Sequence, residues 1–225
     1  MARSPAETSA MRGMPMFRGL TGTDLELIGS TGAREVYAAG QEIHPAFSDA
    51  PDVLLLEGGG ASVACELPGG RAAEVRKLGA GDLMDFGILP SALAPWCHVV
   101  ATVDQTVGLH IPAEAIYPAM LATSEGAGAL DQWRQQVLRG VATTLGEFLC
   151  YDALRRLEHL LAQAASEHPE QVVMLTHRDL GRRTGIHRED VSKFLSRLRS
   201  LGLVDYSPYR RGIRVLDPGR LASDK

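Results

Sequence analysis

A single glycine, Gly185, separates two short stretches that are both predicted to be helices, and this constrains the fold more than any other feature. Thr176 offers a hydroxyl to cap the first helix, and Asp179 stands three residues later, where a carboxylate completes a capping box. Glycine permits the sharp turn that follows. Apolar residues then recur along one side of the second helix: Val191, Phe194, Leu195, Leu198 and Leu201.

The opposite side of the second helix is polar. It carries His187, Arg188, Glu189, Ser192, Lys193 and Arg197. A helix with an apolar back and a front of donors, a carboxylate and a hydroxyl fits the major groove of double-stranded DNA. We add Thr176 and Arg178, from the start of the first helix, to the predicted DNA contacts. The alternative is a surface helical hairpin with solvated charges.

A strand, a turn and a return strand are predicted after the second helix. Leu203 and Val204 lead into a turn that contains Pro208, and Ile213 begins the return. Arginines surround the tip of this turn: Arg210, Arg211 and Arg214. They are placed to reach phosphates. The pattern predicts a winged helix-turn-helix.

Charge is distributed unevenly along the 225 residues, although the net charge is only −4. Residues 176–225 hold 12 Lys and Arg against 6 Asp and Glu, whereas the preceding residues hold 11 against 21. A basic end on an acidic body fits phosphate binding confined to one end. The length allows two modest domains, each with its own core.

Several classes of protein are disfavoured by composition. Cys65, Cys97 and Cys150 are too few and too scattered for a disulfide framework or a metal cluster, so we expect no metal. No apolar run approaches membrane-spanning length, so we expect a cytoplasmic protein without a membrane partner. Residues 1–13 are rich in small and polar types and are predicted to be disordered.

Residues 14–125 are predicted to form a β-rich domain. From about Arg34 to Pro112, short β segments alternate with turn residues, a pattern typical of an antiparallel barrel or jelly roll. The run Gly58–Gly60 is predicted to be a strand-to-strand turn. A phosphate-binding loop would need a following Lys-Ser/Thr and a helix, which the sequence lacks.

Residues 126–150 are predicted to form a long helix, ahead of the DNA-binding domain at 151–225. Apolar residues recur there with heptad-like spacing: Leu130, Trp133, Val137, Val141, Thr144 and Phe148. We predict that they form the seam of a homodimer. Leu138, Leu145 and Leu149, beside the seam, are predicted to pack on the barrel. The alternative is a monomer whose helix is internal core.

The whole order of elements resembles the catabolite-activator (CRP/FNR) superfamily of bacterial transcription regulators, from Phe17 to Leu221. The matching motifs are Met16–Glu26, Ala39–Ile43, Leu56–Gly58, Gly79–Asp82 and Tyr151–Leu157. The resemblance implies an α+β fold: an N-terminal antiparallel β-barrel or jelly roll, a long dimerisation helix and a C-terminal winged helix-turn-helix. It also implies a non-enzymatic regulator of transcription that binds a palindromic operator as a homodimer and contacts RNA polymerase. Arg188, Glu189 and Lys193 match the base-reading positions.

The chain departs from this superfamily where cyclic nucleotides bind. Members that bind them carry Gly-Glu for the ribose and Arg-Ser/Thr for the phosphate. Asp85-Phe86 and Trp96-Cys97 occupy these places here. Phe86 cannot accept a ribose hydroxyl, and Trp96 cannot neutralise a buried phosphate. Cyclic AMP or GMP is therefore not expected. Candidate pocket residues are Met84, Phe86, Leu89, Leu93, Trp96 and Cys97.

Several explanations of this pocket stay open. The side chains fill it, or they line a site for an apolar effector. Haem is a third alternative, with Cys97 or His98 as ligand, and an unligated cysteine is the fourth. Cys150, at the hinge after the long helix, is a candidate for redox control.

Two other classes of function are weighed as well. One is a ligand-binding or protein-interaction module that does not contact DNA. The other is a jelly-roll enzyme with a metal, which would need a His-x-His and a carboxylate, whereas His44, His98 and His110 stand alone in the sequence.

Overall fold

The computed structural model describes residues 11–46, 51–86, 97–168, 170–206 and 212–223. The chain forms two compact units. Unit 1 comprises Met1–Val63 and Arg76–Val141, and unit 2 comprises Ala64–Val75 and Ala142–Lys225. Met11 is buried, so at least this residue of the segment predicted to be disordered is packed. No helix among the described residues has both the length and the apolar character needed to cross a membrane.

The elements up to Cys150 follow the order that the sequence predicts: a first helix, many strands and then helices. The helices are a 3-10 turn at Pro15–Phe17, α1 (Gly22–Thr31), α2 (Ala113–Leu121) and α3 (Ser124–Cys150). The strands are β1 (Ala33–Tyr37), β2 (Asp52–Gly58), β3 (Gly60–Leu67), β4 (Arg71–Gly79), β5 (Leu83–Asp85), β6 (Cys97–Ala101) and β7 (Thr106–Pro112). One sheet has the order β1-β7-β2-β5 and another β4-β3-β6.

Local chemistry explains where α1 starts and what it buries. The Thr21 hydroxyl accepts from the backbone N–H of Asp24 (3.2 Å), and the Asp24 carboxylate accepts from the N–H of Thr21 (2.8 Å). This reciprocal capping box satisfies donors that a helix start leaves open. Leu25 and Ile28, one turn apart, are fully buried.

The core of unit 1 is centred on two paired strands. In β2, Val53–Leu56 are all buried, and the strand pairs antiparallel with both β5 and β7. A continuous apolar run is expected for a strand covered on both faces. Leu109 and Ile111 of β7 complete this layer. The antiparallel β domain predicted from the turn spacing is confirmed.

Unit 2 contains the predicted helix-turn-helix and wing. Its helices are α4 (Ala153–Ser166), α5 (His177–Thr184), α6 (Arg188–Ser200) and α7 (Pro218–Ala222). Its strands are β8 (Val172–Val173), β9 (Val204–Asp205) and β10 (Ile213–Val215), ordered β8-β10-β9 with antiparallel pairing. One apolar core joins these elements, with Leu157, Leu161, Leu180 and Leu195 at its centre.

Candidate nucleic-acid interface

The helix α5 begins as the sequence predicts. The Thr176 hydroxyl accepts from the N–H of Asp179 (3.1 Å), and the Asp179 carboxylate accepts from the N–H of Thr176 (3.0 Å). The Thr176 hydroxyl also donates to the same carboxylate (2.6 Å). Thr176 therefore holds the helix start, which limits what its hydroxyl offers to DNA. Arg178 is exposed beside it.

The turn between α5 and α6 depends on the absence of side chains. Gly185 has φ +67°, and a Cβ there would lie 2.9 Å from Cε1 of Phe148. A Cβ on Gly181 would lie 2.6 Å from the carbonyl oxygen of Ile186. Both distances are too short for real contacts, so only glycine fits at either position. The two glycines fix how α6 follows α5.

Residues of β4, which belong to the same unit, contact this turn and the end of α5. The Arg71 guanidinium donates to the Gly185 carbonyl (3.3 Å), and Arg183 lies 3.6 Å from the Glu74 carboxylate. These contacts reach residues far apart in sequence. Periodicity within the helices therefore gives no sign of them.

The helix α6 separates an apolar from a polar side, as predicted. Val191, Leu195 and Leu198 are fully buried. Phe194 is partly buried, and Leu201, predicted on the buried side, is 49% exposed because the helix ends there. On the other side the predicted DNA contacts His187, Arg188, Glu189, Lys193 and Arg197 are exposed, and Ser192 is half-buried.

A histidine that the sequence interpretation passed over organises part of this polar side. His177 Nδ1 lies 2.9 Å from the Ser192 hydroxyl, which itself donates to the Arg188 carbonyl (3.2 Å). The ring also packs edge-on against Tyr206. Burial, with a smaller contribution from the Arg188 charge, lowers the pKa of His177. The sequence feature that could have identified His177 is its position as the first residue after the N-cap of α5.

The wing is only partly described. Strands β9 and β10 pair through Val204 with Val215, and Arg214 is exposed. The predicted phosphate contacts Arg210 and Arg211 lie outside the described residues.

Two of the residues predicted to line an effector pocket are buried. Met84 and Phe86 are buried, and Phe86 stacks on His110 with ring centroids 6.0 Å apart. Leu89, Leu93 and Trp96 lie outside the described residues. Cys97 and Cys65 are both disulfide-bonded, which the scattered positions of the cysteines in the sequence did not predict. A sulfur in a disulfide has no thiolate to offer a haem iron.

A buried polar centre, which we define as Asp52, His110 and Tyr37, lies in unit 1. His110 Nδ1 is 2.7 Å from an Asp52 carboxylate oxygen, and Nε2 is 2.7 Å from the Tyr37 hydroxyl. Tyr37 donates onward to Glu35 (2.8 Å). The pKa of Tyr37 is raised, first by burial and then by Glu35. His110 stands alone in the sequence, and its partners Asp52 and Tyr37 come from other strands. No group of three or more metal-binding side chains occurs among the described residues.

The long helix presents a different apolar face from the predicted seam. Leu130, Trp133 and Val137 are buried in their own chain, which leaves them little surface for a partner. Val141 is half-buried, the Thr144 hydroxyl donates to the Val75 carbonyl (3.2 Å), and Phe148 lies under the Arg156 guanidinium.

The leucines predicted to pack on the barrel are exposed instead. Leu138, Leu145 and Leu149 are 70%, 57% and 76% exposed. Their spacings of seven and four residues place them on one side of the helix. Cys150, directly after them, is a free and exposed thiol.

Comparison with known proteins agrees with this architecture. Residues 155–223 match the family model described as the Crp-like helix-turn-helix domain. Comparison with curated proteins gave no significant sequence match.

The first of three similar solved structures is a transcriptional regulator of the Crp/Fnr family from Eubacterium rectale, with a TM-score of 0.71, 22% identity and coverage of 92% of this chain and 95% of that chain. The second is a CooA variant from Carboxydothermus hydrogenoformans, with a TM-score of 0.69, 17% identity and coverage of 89% of this chain and 88% of that chain. The third is FixK2 from Bradyrhizobium japonicum, with a TM-score of 0.65, 22% identity and coverage of 84% of this chain and 95% of that chain. Residues 155–223 therefore carry the match to a Crp-like helix-turn-helix domain, and the chain as a whole shares the fold of these solved structures.

Proposed function

We propose that this chain is a CRP/FNR-type regulator, sequence-specific and homodimeric in its DNA binding, that works without cyclic AMP. The observation that carries the proposal is the exposed polar side of α6, opposite buried Val191, Leu195 and Leu198, in a helix-turn-helix fixed by Gly185. The basic balance of residues 176–225 supports it. An acidic or neutral surface would not compensate the phosphates it approaches.

Base reading is assigned to Arg188, Glu189 and Lys193. The Arg188 guanidinium can donate two hydrogen bonds to guanine O6 and N7, and the Glu189 carboxylate can accept from cytosine N4. A good bidentate contact contributes roughly 1–3 kcal/mol of discrimination. The lysine is a point charge on a flexible stem and lacks the planar fork of arginine. His187, Ser192, Arg197 and Arg178 are proposed to contact DNA around these three.

We assign dimerisation to the exposed stripe Leu138, Leu145 and Leu149 of α3. These leucines are apolar, lie on one side of a 27-residue helix and are exposed in the single chain. A second copy of α3 would remove this surface from water, and a two-fold dimer would present two copies of α6 to a palindromic site. Leu145→Glu should shift the protein to monomer in sedimentation equilibrium. Leu121→Glu, at an equally exposed leucine on α2, should stay dimeric.

An effector other than a cyclic nucleotide is compatible with the pocket. Buried Phe86, stacked on His110, stands where cyclic-nucleotide-binding members of the superfamily place a ribose-binding glutamate. We propose that the pocket is closed by side chains, with a small apolar ligand as the alternative. Haem is disfavoured by the disulfide at Cys97.

We further propose a cytoplasmic, non-enzymatic protein that contacts RNA polymerase.

Selection of bound duplexes from a random library tests the proposal, with purified protein and no added effector. We expect enrichment of a palindrome. Arg188→Ala should lose selectivity while salt-sensitive, non-specific binding survives. Arg18→Ala, which removes the same charge from an exposed site of unit 1, should select the same palindrome. A folded dimer that enriches no sequence would contradict effector-independent binding, and unchanged selectivity in Arg188→Ala would contradict the assignment of Arg188.

A further inference from the structure

Asp190 and Lys193 form an ion pair on the polar side of α6. Lys193 Nζ lies 2.9 Å from Oδ1 of Asp190, and the two side chains are 73% and 41% exposed. Their hydrogen bond raises the pKa of Lys193 and lowers the pKa of Asp190, so both groups are charged at neutral pH. A proposed base-reading residue is thus already engaged by a carboxylate of its own helix.

Helical geometry places this carboxylate at the edge of the polar side. Successive residues are rotated by about 100°, so Glu189 and Lys193 lie near the middle, opposite Leu198, and Asp190 lies on the flank beside them. The flanks of a helix in the major groove face the DNA strands. Asp190 therefore holds a negative charge where phosphates approach, next to the ammonium that would otherwise bind them.

The two kinds of DNA acceptor respond differently to this charge. A phosphate must approach against the repulsion of Asp190 to compete for Lys193, because both oxygens are anionic. A guanine edge is neutral and presents O6 and N7 from inside the groove, where Asp190 does not compete for the space. An exposed ion pair is weak enough to open when such an acceptor is offered.

We propose that Asp190 withholds Lys193 from the phosphates of non-specific DNA, so that Lys193 contributes only where a base acceptor engages it. The inference rests on the proposed DNA-binding function and assigns one residue, absent from the predicted contacts, to the control of that site. Asp190 is a positioning residue that acts through Lys193.

Binding of non-specific and selected duplexes across a salt series tests this. Lys193→Gln should weaken binding to the selected palindrome about tenfold and leave non-specific binding unchanged within about twofold. Asp190→Asn should strengthen non-specific binding about threefold at low salt. Its salt dependence should steepen by about one unit of slope per subunit, because Lys193 now meets a phosphate. In the double variant this gain should disappear.

Matched variants separate the local effect from net charge. Glu170→Gln removes one negative charge at an exposed position outside α6 and should leave the salt slope unchanged. The inference is overturned if Lys193→Gln weakens non-specific binding as much as specific binding, or if Asp190→Asn acts equally with and without Lys193. A wild-type protein without sequence preference would instead remove the proposed function, and this inference with it.

Discussion

The helix-turn-helix of unit 2 and the buried polar centre of unit 1 are assembled in opposite ways. The helix-turn-helix begins with a capping box between Thr176 and Asp179, three residues apart in sequence. It turns at Gly185, and its polar side chains face solvent. The buried polar centre joins Asp52, His110 and Tyr37 from three strands and is hidden in the core. Motifs within one or two helical turns are enough to predict the exposed surface of the helix-turn-helix from the sequence. The buried centre cannot be predicted in this way, because it depends on which strands become neighbours.

The largest expected effect comes from breaking the buried centre. Asp52→Ala removes the carboxylate that binds His110 and the N–H of Ala46, and it should lower the free energy of unfolding by about 3 kcal/mol. Urea denaturation measures this. His98→Gln, which alters the exposed His98–Glu42 pair, should cost less than about 1 kcal/mol. Equal costs would show that burial does not distinguish the two pairs.

A second prediction concerns the turn of the helix-turn-helix. Gly185→Ala meets both a positive φ and the Phe148 ring, so we expect a loss of about 2–4 kcal/mol and of DNA binding. Gly202→Ala has a similar φ of +71° but open space around the added methyl, and should cost only about 1–2 kcal/mol. Thermal unfolding of both variants gives the comparison. Indistinguishable melting temperatures would mean that the turn tolerates a Cβ.

A smaller effect is expected from pH at His177. Its pKa in the folded protein lies below the ordinary value of 6.5, so the unfolded chain takes up the proton first as pH falls. The stability that neutral His177 contributes is therefore present above about pH 6.5 and is lost as pH drops from there through the lowered pKa. His177→Gln should flatten this slope in urea denaturation between pH 7.5 and 5.5. An unchanged slope would contradict the assignment.

The smallest effect is expected at Cys150. The thiol is free and exposed at the end of α3, but a lone cysteine does not by itself indicate a role. Cys150→Ser should leave DNA affinity unchanged in both oxidising and reducing buffer, as measured by fluorescence anisotropy. A difference confined to the oxidised wild type would instead establish redox control at this hinge.

Prediction from the sequence was most complete for elements with local periodicity. The capping box at Thr176, the turn at Gly185 and, apart from Leu201, the buried side of α6 were predicted correctly, because each depends on neighbours within one or two helical turns. The fold class, an antiparallel β domain, a long helix and a helix-turn-helix, followed from these elements together with the spacing of β segments.

Prediction was weakest where two choices have the same periodicity. On α3 both Leu130, Trp133 and Val137 and the flank Leu138, Leu145 and Leu149 fit an apolar stripe. The sequence interpretation placed the flank against the barrel, whereas the structure exposes it. A helix with two apolar sides does not specify which side its own chain covers. That choice depends on the strands and loops packed against it.

The sequence by itself determined most of the secondary structure, the polar side of α6 and the absence of a cyclic-nucleotide pattern, since these depend on residue type and short spacing. Only the tertiary structure decided that Phe86 stacks on His110, that His110 binds Asp52, and that the leucines of α3 remain exposed. The physical reason is that burial and hydrogen-bond partners arise from contacts between residues distant in the chain. The pattern of a single sequence does not show which distant residues lie close together.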